Sequence, residues 1–407
     1  MMKNLFLIGM LASAMTFSLA ACSDDDDPKP VDPVDPVTPV DPVTPTDPNE
    51  GKDAADYVYT SSIADAWGNY MRNVSLLLRT DATTLYDDWT DSYNGDDSYA
   101  TIFKAHDGRE DFNSALNCIE QMIDGCTDIA SEVGSSKIGE PYDLYVSGDT
   151  EGALYAVESW YSWHSREDYR NNIYSIRNAY FGSLDGTVNV NSMSAVVKSV
   201  DPELDAEVTA AINAAAEAIM AIPQPFRNNI NSTQAAAAMD ACGDLETILD
   251  EELRPFFTNT AAINTNAVLD PVVQQYVDGV VIPTYTELKA KNSALHEAVS
   301  AFQANPSNAG FVACCNAWLD ARTPWESSEA FLFGPVADKG LDPNMDSWPL
   351  DQVAIVNILK SQDWAAMEWE GDYDEDDEAI ASKQEVRGFH TLEFLIFKDG
   401  QPRTINN

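Results

Sequence analysis

The sequence predicts an all-α protein built from two antiparallel helical bundles of the four-helix-bundle type. Between residues 62 and 395, apolar residues recur three or four positions apart, which is the period of an amphipathic helix. Alternation of apolar and polar residues, the pattern of a half-buried strand, is scarce in the same range. Short polar loops separate the helical stretches, and such loops join helices that pack antiparallel to their neighbours.

The first 52 residues predict export and anchoring. Residues 1–21 hold one cation and an apolar run too short for a membrane span, which is typical of a signal peptide. Cys22 ends a lipobox-like stretch and is the predicted lipidation site, although an ordinary secretory signal with a chance cysteine is the alternative. Residues 22–52 form a tether that is proline-rich after an acidic start resembling the export tag of surface lipoproteins. We therefore expect a lipid-anchored protein exposed on the outer membrane.

Capping and stop signals predict the individual helices. Asp201-Pro202 reads as an N-cap followed by proline at the first helical position, and Pro223 ends that helix. Pro283 is expected to kink a long helix over residues 270–302. The other predicted helices span residues 64–78, 110–133, 151–160, 170–180, 233–253, 310–321 and 353–367. A polar stretch near residues 258–266 separates a first bundle (53–262) from a second bundle (263–407).

Charge and cysteine content exclude several classes of function. The chain has 67 acidic against 23 basic residues and a net charge of −44. Such a field repels nucleic acid and anionic headgroups and concentrates cations near the surface. We therefore expect no nucleic-acid partner. We expect contact with the membrane through the lipid anchor only. Five further cysteines without a Cys-x-x-Cys pair predict mostly buried free thiols rather than a zinc ribbon or a redox motif.

The sharpest chemical signal lies near the C-terminus. His390 and Glu393 stand three positions apart in an apolar segment, so a helix would present them on one face. An imidazole and a carboxylate held side by side in a buried segment form half of a candidate metal site. The alternative is a structural pair that is held by Arg322 at an interface and binds no ligand.

A second cluster offers oxygen ligands. Glu326 and Glu329 repeat the three-residue spacing, so one helix would present both carboxylates on one face. Arg322 can ion-pair with them or hold an anionic group of a ligand, and Trp325 would form a wall of the pocket. A solvated acidic helix start is the alternative for the two glutamates.

Polar residues inside the helix predicted at 170–180 mark a third region. Asn171, Ser175 and Asn178 follow helical spacing, although asparagine and serine are poor helix formers in interior positions. The stripe predicts either partner groups across an interface or a packing role. Asn172, within the same stretch, joins Ser175 and Asn178 as a candidate ligand-binding residue.

The other histidines carry weaker signals. His164 and Glu167 repeat the three-residue spacing, but no apolar run surrounds them, so we treat them as a surface pair. His106 and His296 stand alone on polar stretches and are expected to be exposed. The chain has four histidines in all and no His-Glu-x-x-His, Gly-x-Ser-x-Gly, Walker or Rossmann motif. A histidine-rich catalytic zinc centre is therefore hard to assemble.

The C-terminal motif resembles a known family. Gly388-Phe389-His390-Thr391-Leu392-Glu393 is similar to the Gly-x-His-x-x-Glu signature of the imelysin-like proteins, and residues 172–182 and 269–335 resemble further blocks of that family. Family members usually begin with the kinked helix and carry the motif mid-chain, whereas here these segments come last. A circular permutation would explain this order, because the ends of helical bundles often lie close together.

The resemblance implies a functional site at the interface of two bundles and a cell-envelope role in iron uptake. The expected metal ligands are His390, Glu393, Glu326 and Glu329. The expected ligand-binding residues are Arg322, Trp325, Gly388, Asn172, Ser175 and Asn178. Carboxylates suit ferric iron, calcium and magnesium, while an imidazole shifts the preference toward iron or zinc.

We therefore expect a cell-surface lipoprotein that binds iron, or a small iron-bearing ligand, ahead of zinc or calcium. An outer-membrane transporter is a candidate partner. Two alternatives stay open. One is a metallopeptidase, the activity that gave the family its name, although the motif lacks the second histidine of the common zinc peptidases. The other is a recognition module without metal, in which the His/Glu motif is structural.

Overall fold

The computed structural model describes residues 48–405, and nearly all of its regular elements are helices. The prediction of an all-α protein is confirmed. The signal peptide, Cys22 and the tether as far as residue 47 lie outside the described residues and stay predictions. From Pro48 onward the chain forms one compact unit. No helix in the described range is long and apolar enough to cross a membrane.

The α-helices, numbered in chain order, are α1 (Ala64–Thr90), α2 (Tyr99–Ala105), α3 (Ala115–Ser131), α4 (Gly139–Ser147), α5 (Thr150–Ala156), α6 (Ser165–Phe181), α7 (Met193–Val200), α8 (Pro202–Ala221), α9 (Thr233–Thr247), α10 (Arg254–Asn259), α11 (Asn266–Tyr276), α12 (Ile282–Ala304), α13 (Asn308–Glu326), α14 (Pro335–Asp338), α15 (Leu341–Asp346), α16 (Gln352–Ser361), α17 (Glu378–Gln384) and α18 (Gly388–Ile396). Three π-helical turns continue α3, α9 and α11: Glu132–Ile138, Ile248–Leu253 and Val277–Val281. Short 3-10 turns occupy Ala54–Asp56, Arg109–Asp111, Phe226–Asn228, Glu329–Phe331 and Trp364–Met367. A small antiparallel hairpin joins β1 (Phe397–Lys398) to β2 (Gln401–Pro402).

Side-chain caps fix where many of these helices begin. At the residue before the helix, a serine or aspartate oxygen accepts a hydrogen bond from a backbone N–H two or three residues further on, which satisfies a donor that has no partner inside the helix. This holds for Ser98, Ser114, Asp149, Ser192, Asp201, Ser232, Ser307, Asp351 and Asp377. The Asp201-Pro202 start and the stop before Pro223 agree with the sequence prediction.

The kinked helix has the predicted position. Instead of one bent helix, α11 and α12 are joined through the π turn Val277–Val281, directly before Pro283. Proline lacks the N–H for an intrahelical bond, and its ring clashes with the carbonyl four residues earlier, so a wider turn forms there.

The helices form two packed groups that do not follow the sequence boundary near residue 262. One group contains α1, α12, α13 and α18, and the other contains α3, α6, α8 and α9. We predicted α1 in the first bundle, but Trp67 Nε1 donates to the carbonyl of Leu395 at 2.9 Å and Tyr70 Oη donates to that of Val386 at 2.8 Å. Periodicity gives a helix a buried face but does not say which distant helix covers it.

The two groups meet where α6 contacts α13 and the turn Glu329–Phe331. This contact brings the polar stripe of α6 beside the carboxylates at the end of α13. α18 lies against α13 and α15 on the other side of the same region. The architecture therefore brings most of the sequence-predicted site residues together from four separate elements.

Two further sequence expectations can be compared with the structure. Cys118, Cys126, Cys242, Cys314 and Cys315 are buried free thiols, as predicted. The expectation that His106 and His296 are exposed was wrong. His296 is buried and lies 3.0 Å from Ser75 Oγ, because α1 covers that face of α12, and His106 is half-buried beside Asp270.

Candidate functional site

His390 and Glu393 form the pair that their spacing predicts. α18 is buried along its whole length, and His390 Nδ1 lies 3.0 Å from Glu393 Oε2. The other oxygen, Glu393 Oε1, accepts the backbone N–H groups of Tyr161 at 3.1 Å and Ser162 at 2.7 Å. Both oxygens of Glu393 thus have protein partners, and they hold the loop before α6 against α18.

Gly388 makes a close backbone contact possible. Its φ of +83° lies in the left-handed region, and a Cβ atom there would stand 2.5 Å from the carbonyl oxygen of Met345. Only glycine meets both conditions at low cost. The contact seats α15 against the start of α18, which brings Asp346 to His390.

Asp346, which the sequence analysis missed, is the central acceptor of the site. Its carboxylate ion-pairs with Arg322, lies 3.1 Å from His390 Nε2, and accepts the indole N–H of Trp325 at 2.7 Å. Burial alone would raise its pKa, but the charges of Arg322 and His390 hold the pKa of Asp346 well below its usual range. The four-residue spacing of Asp342 and Asp346 was the signal that could have identified it.

His390 is held between two carboxylates. Burial and the charge of Arg322 each lower the pKa of His390, yet Asp346 and the hydrogen bond to Glu393 outweigh them and raise it to about 9. A protonated imidazole donates from both nitrogens, which matches an acceptor on each side. His390 therefore carries positive charge at neutral pH in this arrangement.

Arg322 binds carboxylates, one of the two roles that the sequence analysis left open. It is fully buried and pairs with Asp346, with Glu326 at 2.5 Å and with Asp168 at 3.4 Å. Trp325, one turn further along α13, is equally buried and donates to Asp346. Arg322 and Trp325 thus fix the carboxylates from one side.

His164 enters this network through a different partner from the one predicted. His164 Nδ1 lies 2.8 Å from Asp168 Oδ1, four positions along α6, rather than next to Glu167. Asp168 is fully buried and also accepts the Ser159 hydroxyl at 2.5 Å. The spacing of one helical turn between His164 and Asp168 is visible in the sequence, but the sequence analysis paired His164 with Glu167, three positions away.

Glu326 and Glu329 do not share one helix as we predicted. α13 ends at Glu326, and Glu329 begins the 3-10 turn that follows. Both side chains are buried, so the alternative of a solvated helix start is also wrong. Pro324, in the last turn of α13, has no N–H to donate to the carbonyl four residues earlier, and the helix ends at Glu326.

Three carboxylates nevertheless converge. One oxygen each from Glu326, Glu329 and Asp346, which we call the acid triad, lies within 4.8 Å of the other two. Burial raises the pKa of Glu326 to about 8, against the opposing charge of Arg322, and burial raises the pKa of Glu329 well above its usual range. The neighbouring Asp342 has a pKa raised to about 7 by burial and by Asp346. The site is therefore rich in carboxyl groups that the protein does not fully compensate.

Of the three predicted polar residues on α6, one contacts the triad and a second binds the turn that carries Glu329. Asn172 Nδ2 donates to Glu326 Oε2 at 2.5 Å. Ser175 Oγ donates to the Asn172 carbonyl at 2.5 Å and accepts the N–H of Ala330 at 3.0 Å, which anchors the turn that carries Glu329. Asn178 instead accepts hydrogen bonds from its neighbour Arg177, so the structure does not bring it to the triad.

The predicted metal-ligand set is redistributed in the structure. His390 and Glu393 lie in the network, but their nitrogen and oxygen atoms already contact protein groups. The sequence analysis placed Glu326 and Glu329 in one set of metal ligands with His390 and Glu393. In the structure the two glutamates converge with Asp346. The geometry favours an oxygen-ligand site beside the His–Glu pair.

Comparison with known proteins decides the family. The imelysin family model (peptidase M75) matches residues 45–251 and 281–407, which is more than half of the chain. The chain belongs to the imelysin family.

Two similar proteins show the extent of the similarity. The crystal structure of an imelysin peptidase from Bacteroides ovatus has 59% sequence identity and a TM-score of 0.85, and it covers 87% of this chain and 100% of that chain. Iron-regulated protein A from Synechococcus elongatus is 33% identical over 144 residues, which is 35% of this chain and 35% of that protein. The match thus spans about a third of the length of that relative. The family resemblance is confirmed, whereas the circular permutation stays a prediction.

Proposed function

We propose that this protein binds iron, or a small iron-bearing ligand, at the acid triad and serves iron uptake at the cell surface. The observation that carries the proposal is the convergence of Glu326, Glu329 and Asp346 within 4.8 Å. Like charges brought together in a buried site repel each other and lose solvation, and a bound cation relieves both costs. Carboxylate oxygens are hard ligands that suit iron in both its ferrous and its ferric state.

A buried polar atom without a partner supports a ligand at this place. Asn172 Oδ1 is buried and accepts no hydrogen bond from the described residues, although Nδ2 of the same amide binds Glu326. Such an atom costs free energy unless a bound group satisfies it. In the proposed site the triad would hold the cation, while Arg322 and His390 orient Glu326 and Asp346.

The cellular setting of the proposal comes from the sequence and from a relative. The predicted signal peptide, Cys22 and tether would place the body outside the outer membrane, and an outer-membrane transporter would receive the iron. One relative bears the name iron-regulated protein A, which supports a role connected with iron. Zinc and calcium are the competing cations, and carboxylates alone do not exclude calcium.

The test is a comparison of iron binding by the full chain and by Glu326→Gln/Glu329→Gln. Because burial raises the pKa of both carboxyls, glutamine resembles their protonated state, and Glu326→Gln keeps an acceptor for Asn172. We expect calorimetry with Fe²⁺ under anaerobic conditions to show binding by the wild type and none by the variant. The matched control is Asp320→Asn, which removes an exposed carboxylate from the same helix. Equal binding by all three proteins would contradict the site.

The same samples separate the alternatives. Elemental analysis of protein purified from iron-replete and iron-depleted cells identifies the metal. Cleavage of an unfolded protein that stops with a chelator and with Glu393→Gln would indicate the metallopeptidase alternative. Absence of any bound metal, with normal stability, would leave His390 and Glu393 as a structural pair.

A further inference from the structure

A second cavity, of about 500 Å³, opens at the surface between the turn after α1, the end of α14 and the segment of residues 368–378. That segment is mostly acidic, but it carries Trp369 and Tyr373, which are half-buried and line the cavity. The other lining side chains are charged or polar. An aromatic wall with a few polar groups around it is the usual form of a small-molecule site.

The protein holds the two aromatic side chains in place. Their ring centroids lie 5.9 Å apart. Trp369 Nε1 donates to Oδ1 of the buried Asn344 at 3.1 Å. A Cβ at Gly340 would collide with the ring of Tyr373, so the glycine lets that ring lie close to the backbone. The aromatic wall is therefore present before any ligand binds, which lowers the entropy that binding must lose.

The charged groups around the cavity leave it negative. Asp338 and Asp372 line it with exposed carboxylates, and Asp338 accepts only a neutral donor, the hydroxyl of Tyr93. Lys339 also lines the cavity, but its ammonium donates to both oxygens of Asp88 at 2.7 Å, so its charge is already paired. Carboxylates attract a cation, and so does the electron-rich face of an aromatic ring.

We propose that this cavity binds a small organic cation of the alkylated ammonium class. The methyl groups of such a cation pack against aromatic rings while its charge is attracted by the carboxylates, so one ligand satisfies both parts of the lining. The net charge of −44 concentrates cations of this kind near the surface. The inference is independent of the proposed function, because Glu326, Glu329 and Asp346 do not line this cavity.

The experiment titrates the full chain with choline and follows binding by ligand-observed NMR. We expect the neutral isostere dimethylbutanol, in which carbon replaces the ammonium nitrogen, to bind at least about tenfold more weakly. Trp369→Leu removes an aromatic ring and should weaken choline binding about tenfold, whereas Trp369→Phe keeps a ring and should retain most of the affinity.

The carboxylates are tested with a matched pair of variants. Asp372→Asn removes an exposed charge from the lining and should weaken choline binding about threefold. Asp376→Asn removes an exposed charge from the same segment outside the lining and should bind as the wild type does. Because the Asp372 side chain is exposed, this comparison tests the site even where Trp369→Leu loses stability.

The outcomes are distinct. A preference for choline over dimethylbutanol that falls in Trp369→Leu and in Asp372→Asn, but not in Asp376→Asn, supports the cation site. Equal binding of the two molecules overturns it, and so does choline binding that is the same in the wild type, Trp369→Leu and Asp372→Asn. Absence of choline binding by the wild type also overturns it, and binding of methyl glucoside in its place would indicate a site for a neutral sugar.

Discussion

At the residue scale, the role of each charged side chain depends on neighbours that are distant in sequence. His390 was recognisable from its motif, but its charge state follows from Asp346, which lies on α15. Arg322 was expected near carboxylates, and three of them surround it. Removing one member of such a buried network leaves an uncompensated charge, which costs about 3–5 kcal/mol. These side chains therefore act as one unit.

The charge of His390 predicts a pH dependence of stability. Its pKa in the folded protein is about 9, above the ordinary value of 6.5, so between these pH values the folded chain holds a proton that the unfolded chain has lost. The contribution is fully present below pH 6.5 and disappears as pH rises through 9. We expect the free energy of unfolding of the wild type, relative to His390→Gln, to fall by about 3 kcal/mol across this window.

Urea unfolding at half-unit pH intervals measures this difference. His296→Gln is a control of opposite sign, because burial and nearby arginines lower the pKa of His296, so its contribution changes on acidification below pH 6.5. A difference between wild type and His390→Gln that stays constant from pH 6 to 9 would show that His390 is not held charged.

At the element scale, local rules give the helices but not their ends. The Asp201-Pro202 cap located the start of α8 correctly, and Pro283 marked the place where α11 and α12 are interrupted. The end of α13 was missed, because Glu326 and Glu329 fit a helical face although the chain turns between them. α1 continues to Thr90 instead of residue 78, since its packing against α12 stabilises turns that periodicity alone left undecided.

The start of α18 gives a test of close packing between elements. Gly388 and Gly95 share a φ of +83°, but a Cβ at Gly388 would meet the Met345 carbonyl at 2.5 Å, whereas Gly95 has nothing within 4 Å. We expect Gly95→Ala to cost about 1 kcal/mol of stability for its backbone conformation and Gly388→Ala about 3 kcal/mol, because α15 must also move. Chemical denaturation of both variants measures the difference. An equal loss of stability in both variants would mean that α15 can move away from Gly388 at no energetic cost.

At the scale of the whole molecule, the C-terminal helices depend on the N-terminal one. α1 covers α12 and α18, and its Trp67 and Tyr70 bind backbone carbonyls near α18. We therefore expect the fragment of residues 263–407 to be unfolded by circular dichroism when expressed alone. Mixing it with the fragment of residues 48–262 should restore helix content and a cooperative transition. A cooperative unfolding transition of the C-terminal fragment alone would show that the predicted boundary near residue 262 is a true domain boundary.

The sequence by itself determined the all-α class, the buried thiols and the His390–Glu393 pair, because helical periodicity and three-residue spacing are local properties. It also named Arg322, Trp325, Glu326, Glu329, Asn172 and Ser175, which the structure gathers in one region. Only the tertiary structure added Asp346 and Asp168 and set Asn178 apart. These residues lie on different helices, and no local sequence pattern says which helices pack against each other. The hydrophobic effect drives burial without specifying the partner. The sheltered carboxylates became a candidate site only when α6, α13, α15 and α18 packed together.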